Sequence, residues 1–181
     1  MSRFDRDEFV ADCLAAARDQ AAVREVVDRA VSDPDAVEAA LSRKLGTDLG
    51  ILRYSDELTI QHVVFPPKYR TGIHDHLTWA VIGTWGGYED QHSYRRDDGH
   101  LVEDGGGRCG VGDVISLSDD AIHEVFAPPT FPSAALHVYG GPLFDKPRHE
   151  WIGTPPSERP IDDAAILNRY LEELSAAGLA C

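Results

Sequence analysis

Between residues 49 and 139 the chain breaks into about eight short β-prone runs, and this rhythm limits the fold more than any other feature. The runs lie near 49–54, 58–65, 73–85, 88–94, 99–103, 112–117, 122–127 and 134–139, each closed by Gly, Pro or Asp clusters. Turn signals every ten residues or so predict an all-β barrel or sandwich. Leu58, Ile60 and Val64 alternate with Thr59 and Gln61, so that run buries one face. Asp97-Asp98-Gly99 and Glu103-Asp104-Gly105-Gly106-Gly107 read as turns.

Helical patterns flank this region. Phe9, Val10, Cys13, Leu14 and Ala17 recur at helical spacing, as do Val23, Val26, Val27, Ala30 and Val31. Asp33-Pro34 predicts an N-cap and first turn for a third helix through Val37, Ala40 and Leu41, with Gly46 as its stop. The stretch Gly140–Pro160 is rich in proline and reads as an irregular wrap. Residues 162–177 predict a closing helix, with Ile166, Leu167, Tyr170, Leu171 and Leu174 on one face and Gly178 after it. The expected organisation is one domain over 1–181: a helical layer at 1–46, a barrel at 47–145, then the wrap and helix at 146–181.

The chain has 181 residues, with 17 Lys and Arg against 31 Asp and Glu, a net charge of −14. That charge repels a phosphate backbone and an anionic membrane surface, so neither nucleic acid nor membrane is an expected partner. No apolar run approaches the ~20 residues of a spanning helix. Met1–Asp7 is charged, unlike a signal peptide. Cys13, Cys109 and Cys181 have no metal-like spacing, so a reduced, cytoplasmic protein is expected.

The chemistry lies in the histidines. In Gly72-Ile73-His74-Asp75-His76, period two puts His74 and His76 on one side of a strand, where their ring nitrogens can reach one ion. Neutral imidazole suits Fe, Zn, Ni and Cu alike. His123 follows a Gly-Asp turn, a strand and a second turn, and joins the pair only if the fold brings its strand alongside. In Ala134-Ala135-Leu136-His137-Val138-Tyr139, His137 and Tyr139 share a face among apolar neighbours, so both need hydrogen-bond partners. His62 points with Ile60 and Val64 and reads as a barrel histidine. His92, His100 and His149 read as exposed, Trp79 and Trp85 as core, and Cys109 as an inert thiol.

The helical N-terminus, the HDHxxW segment followed by IG, the Gly-Asp-turn-His segment and the LHVY strand together resemble the cupin superfamily. Within it, the chain is most similar to the thiol dioxygenases, including cysteine dioxygenase and 3-mercaptopropionate dioxygenase. The resemblance covers roughly residues 45–145. It implies a mainly β fold: a double-stranded β-helix (jelly-roll) barrel with N-terminal helices and a C-terminal helix. It also implies iron(II) held by His74, His76 and His123, with His137 and Tyr139 beside the bound substrate. The implied reaction joins O2 to a small thiol, giving a sulfinate.

Several residues depart from the family pattern. Ala80 and Val81 stand where many cupins carry a glutamate ligand, which favours a three-histidine site. Val81 also stands where animal cysteine dioxygenases carry a cysteine cross-linked to the tyrosine matching Tyr139. Ala135 replaces the serine of the Ser-x-His-x-Tyr triad, so His137 loses its expected partner. The family's carboxylate-binding arginine has Arg53 as its nearest counterpart, with Arg70, Arg95 and Arg96 as alternatives of similar weakness. Two other readings stay open at this point. One is a cupin metalloenzyme acting on a non-thiol small molecule; the other is a non-catalytic metal- or small-molecule-binding cupin.

Overall fold

The computed structural model describes residues 4–45 and 50–180. The expected helix stop at Gly46, the first residue of the run at 49, and Cys181 lie outside the described residues. Three helices come first: α1 (Arg6–Ala15), α2 (Gln20–Val31) and α3 (Pro34–Leu41). Nine strands follow: β1 (Ile51–Tyr54), β2 (Thr59–Phe65), β3 (Ile73–Asp75), β4 (Ala80–Gly86), β5 (Tyr88–Asp97), β6 (His100–Gly110), β7 (Val114–Leu117), β8 (Ile122–Phe126) and β9 (Ser133–Tyr139). The chain closes with β10 (His149–Ile152), β11 (Ser157–Pro160) and α4 (Asp163–Ala176). No helix among the described residues is long and apolar enough to cross a membrane.

Each helix begins at an aspartate whose carboxylate accepts orphan backbone N–H groups. Asp5 accepts from Asp7 and Glu8, Asp19 from Ala21, Asp33 from Ala36 and Asp162 from Ala165. Pro34 occupies the first turn of α3, as expected. Gly178 follows α4 at φ 70°, and the Leu179 N–H returns to the Leu174 carbonyl, a left-handed helix stop.

The strands form two sheets, ordered β1-β2-β9-β4-β7 and β11-β10-β3-β8-β5-β6, with all strand pairings antiparallel. The fold is mainly β, a two-sheet jelly roll of the double-stranded β-helix type with helices at both ends. Every residue of β4 and β9 is buried, because both faces of the first sheet are covered. Ile60, Val64, Val81, Trp85, Leu136 and Val138 meet Val23, Val27 and Val31 of the helical layer. Gln61, Val63, Phe65, His137 and Tyr139, one residue out of phase, line the barrel cavity. His62 therefore faces the helices, its ring 5.4 Å from that of Trp85. Trp79 packs half-buried against the same core.

Gly83 lets α2 approach the first sheet closely. A Cβ there would lie 2.5 Å from Val27 Cγ1 and 2.9 Å from Val31 Cγ1. Gly83→Ala is expected to destabilise the fold by about 1–3 kcal/mol through overpacking. A fall in the urea midpoint at unchanged slope is the expected readout; an unchanged midpoint would mean that the helix is free to shift.

Three sequence expectations are corrected here. The run at 73–85 is two strands in different sheets, β3 and β4, joined across residues 76–79, where Leu77 adopts φ 52°. Its nearly continuous apolar character hides the crossing. The segment Glu103–Gly107 is no turn but the middle of β6, with an irregularity opposite Ser93/Tyr94. Gly106 at φ 151° passes so close to the Gln91 carbonyl that a Cβ would sit 2.2 Å from it. The wrap after Tyr139 is partly ordered into β10 and β11, which extend the second sheet beside β3.

Candidate metal centre

His74 on β3 and His123 on β8 are direct cross-strand partners. His76 lies just past the end of β3 and turns back to the same point. Its Nε2 is 3.2 Å from His74 Nε2 and 3.3 Å from His123 Nε2. The three donor atoms lie within 4.8 Å of one another. The structure thus brings together the three histidines singled out in the sequence.

Their hydrogen bonds assign the lone pairs. His74 Nδ1 is 2.9 Å from the Gly72 carbonyl, which only accepts, so Nδ1 carries the proton and Nε2 the lone pair. His123 Nδ1 is 3.1 Å from Gln91 Oε1, and Gln91 Nε2 donates to Glu89 Oε2 at 3.2 Å. That amide orientation makes His123 Nδ1 a donor and leaves its Nε2 lone pair free as well. Burial lowers the pKa of all three, with the neighbouring imidazoles adding to the effect at His76 and His123. A cluster of neutral imidazoles, two with lone pairs fixed on one point, is a donor set that fits a first-row divalent metal.

Tyr139 stands next to this cluster, its ring 5.0 Å from that of His76. Its hydroxyl and His137 Nδ1 are 2.8 Å apart. Burial pushes the Tyr139 pKa up, so it stays a phenol, and brings that of His137 down to about 3, so it stays neutral. His137 Nε2 is buried with no hydrogen-bond partner among the described residues. Thr84, the cross-strand neighbour of Ala135, does not replace the missing serine, since its Oγ1 is also without a partner.

Arg53 does not reach the site. It is exposed on the edge strand β1, outside the cavity wall. Arg70 pairs with Glu124, Arg95 with Asp97 and Asp104, and Arg96 with Glu158, all outside that wall. The cavity arginine is Arg148, only 6% exposed, in the middle of the Gly140–Pro160 stretch that the sequence presents as an irregular wrap. Its Nη2 pairs with Asp163, and its Nε is buried with no partner among the described residues. It is close enough for its charge to help hold His74 and His76 neutral. Pro147 before it is the only local signal, and it points to a turn rather than a site.

His149 is half-buried rather than exposed. Its backbone N–H donates to Asp75 Oδ1 at 2.7 Å, and its Nδ1 meets Asp75 Oδ2 at 3.1 Å. Asp75, between the two site histidines, thereby anchors β3 to β10. His92 pairs with Glu103 at 2.9 Å, and His100 is exposed. Cys109 is buried, and burial pushes its thiol up to about 11, an unreactive setting.

Glu89 is fully buried, accepting from Ser133 Oγ at 3.1 Å and from Gln91, which in turn holds His123. Burial raises its pKa from 4.5 to about 7. The folded state therefore holds this proton longer than the unfolded chain, and stability from this group falls as pH rises from 4.5 to about 7. Ionising it costs on the order of 3 kcal/mol. Glu89→Gln is expected to raise the Tm at pH 8 relative to wild type, and to leave a smaller difference at pH 5. Equal Tm differences at both pH values would mean that Glu89 titrates normally.

No family model and no curated relative matches the sequence. Among solved structures, the chain is similar to a cupin protein from Bacteroides fragilis at 16% identity over 46% of this chain and 65% of that one, TM-score 0.36. It is also similar to an RmlC-like cupin family protein from Methanocaldococcus jannaschii, at 11% identity over 52% and 79%, TM-score 0.43. A recombinant oxalate oxidase in complex with glycolate matches at 13% identity over 64% and 56%, TM-score 0.43. The chain spans less than two thirds of the length of the first and third of these.

Proposed function

We propose that this chain is a mononuclear non-haem iron(II) dioxygenase that oxidises a small carboxylate-bearing thiol to a sulfinate. One observation carries the reading. Three neutral imidazoles converge in a cavity that also holds the Tyr139–His137 pair and the buried Arg148. His74, His76 and His123 would hold the metal. Iron(II) there supplies the redox chemistry for R–SH + O2 → R–SO2H, in which both oxygen atoms end on sulfur.

The chain's own residues supply geometry and protons. Asp163 pairs with Nη2 of Arg148, so the rest of the guanidinium edge that lines the cavity remains for a substrate carboxylate. That contact fixes the thiol end against the histidines. Tyr139, held as a phenol, donates a hydrogen bond to the reacting oxygen or sulfur, and His137 Nδ1 orients its hydroxyl. The apolar wall formed by Val63, Phe65 and Val125 excludes water.

Oxygen uptake by iron-loaded protein tests this with three thiols. Cysteine and 3-mercaptopropionate, which carry a carboxylate, are expected to be oxidised at least about tenfold more efficiently than cysteamine, which does not. Equal efficiency for all three would remove the role of Arg148. A second reading is a cupin metalloenzyme acting on a non-thiol acid. The unpaired His137 Nε2, where the thiol dioxygenases place a serine partner, favours it.

A further inference from the structure

The cavity has more room than a three-carbon thiol acid fills. It measures about 400 Å³. A cavity of roughly 150 Å³ already accommodates benzene, and pockets of about 300–1,000 Å³ are the size that encloses drug-sized ligands. The extra space is mostly apolar. Away from the histidines, Gln61, Thr71, Arg148 and Asp163, the wall is built mainly from aromatic and branched side chains. Phe65 of β2 stacks on Tyr69 with ring centroids 5.0 Å apart, and Tyr69 meets Tyr170 of α4 edge to face at 5.4 Å. Val63, Val125 and Ile166 complete this side.

The wall is also fixed in place. The Tyr170 hydroxyl donates to the Val64 carbonyl at 2.8 Å, and Arg169 donates to the carbonyls of Arg70 and Thr71 at 3.1 and 3.3 Å. α4 is thereby tied to the barrel from both sides of the aromatic cluster. Of its apolar face, only Leu174 is fully buried in the helical-layer core, while Ile166, Leu167 and Tyr170 form cavity wall. An amphipathic helix that turns part of its apolar face to a cavity builds a surface for a ligand body.

We propose that the preferred substrate is an acid with a branched or aromatic body, its carboxylate on Arg148 and its body against Phe65, Tyr69, Val125, Ile166 and Tyr170. The position of the reacting end at the histidines rests on the function proposed above; the apolar subsite does not. Filling such a wall with a phenyl group removes enough apolar surface from water to strengthen binding well beyond that of a short acid.

Binding and turnover test the two readings separately. Calorimetry on the zinc-loaded full chain with propanoate and with 3-phenylpropanoate is expected to show the phenyl acid bound at least tenfold more tightly. Ile166→Trp, a substitution at a half-buried helix position, is expected to erase that advantage by filling the subsite. On iron-loaded protein, 3-mercaptopropionate carrying a benzyl group on C2 is expected to exceed 3-mercaptopropionate itself in kcat/KM. Equal affinities for the two acids would overturn the proposal, even if small thiols are oxidised. Tight, Ile166-dependent binding of 3-phenylpropanoate with no oxidation of either thiol would uphold it and overturn the thiol dioxygenase reading instead.

Discussion

His76→Ala is expected to yield a folded protein that neither retains metal nor consumes oxygen. His76 is the middle member of the cluster, with its Nε2 within 3.3 Å of both other Nε2 atoms. Removing it leaves two donors on adjacent strands. Loss of an outer partner of a ligand typically costs about 10–100-fold in metal affinity, so loss of a ligand is expected to cost more than about 100-fold. The metal-free fold does not depend on this side chain in the same way. His76 Nδ1 is buried without a partner among the described residues, so truncation removes an unsatisfied polar group along with the ring. The expected pattern is therefore a metal-free Tm close to wild type, no Tm gain on adding iron(II) or zinc(II), and no oxygen uptake. Normal metal content with full activity would displace the site from these histidines.

Arg148→Met is expected to act on substrate rather than metal. Methionine keeps much of the stem volume and removes every donor. A charge-assisted hydrogen bond to a buried arginine is worth about 1.5–3 kcal/mol, so KM for carboxylate-bearing thiols is expected to rise about 10–100-fold. Oxidation of cysteamine, which has no carboxylate, is expected to stay nearly unchanged. Asp163→Asn is the control. Asparagine removes the charge at this 46% exposed position but keeps a carbonyl acceptor for the buried Arg148, so the guanidinium stays in the cavity. If Arg148→Met depresses all thiols equally, Arg148 is a structural residue and the carboxylate is held elsewhere.

Local pattern made some of this legible and long-range pairing hid the rest. The β rhythm, the aspartate cap at Asp33 and the glycine after α4 are local signals, and the structure carries each as expected. The closeness of His74 and His76 is suggested by their spacing, although His76 reaches the site from just past the end of β3. That of His123 does not, since it depends on β3 and β8 being neighbours in the second sheet. Arg148 was missed for the same reason. Its burial comes from the cavity and Asp163, and the strand after it forms because β3 offers an edge, not because His149–Ile152 is a strong strand sequence. Arg53 sits on an edge strand, where the polar face meets solvent. His62 shows the limit of alternation: the pattern puts it with Ile60 and Val64, but cannot say that this face meets helices rather than the cavity.

The most direct test of the account is the stoichiometry of oxygen consumption by iron-loaded, untagged protein with a carboxylate-bearing thiol, read together with bound iron and product. The account predicts one iron per chain, one O2 consumed per thiol, and a sulfinate as product. One iron per chain without thiol-dependent oxygen uptake, across both 3-mercaptopropionate and its benzyl derivative, would contradict it.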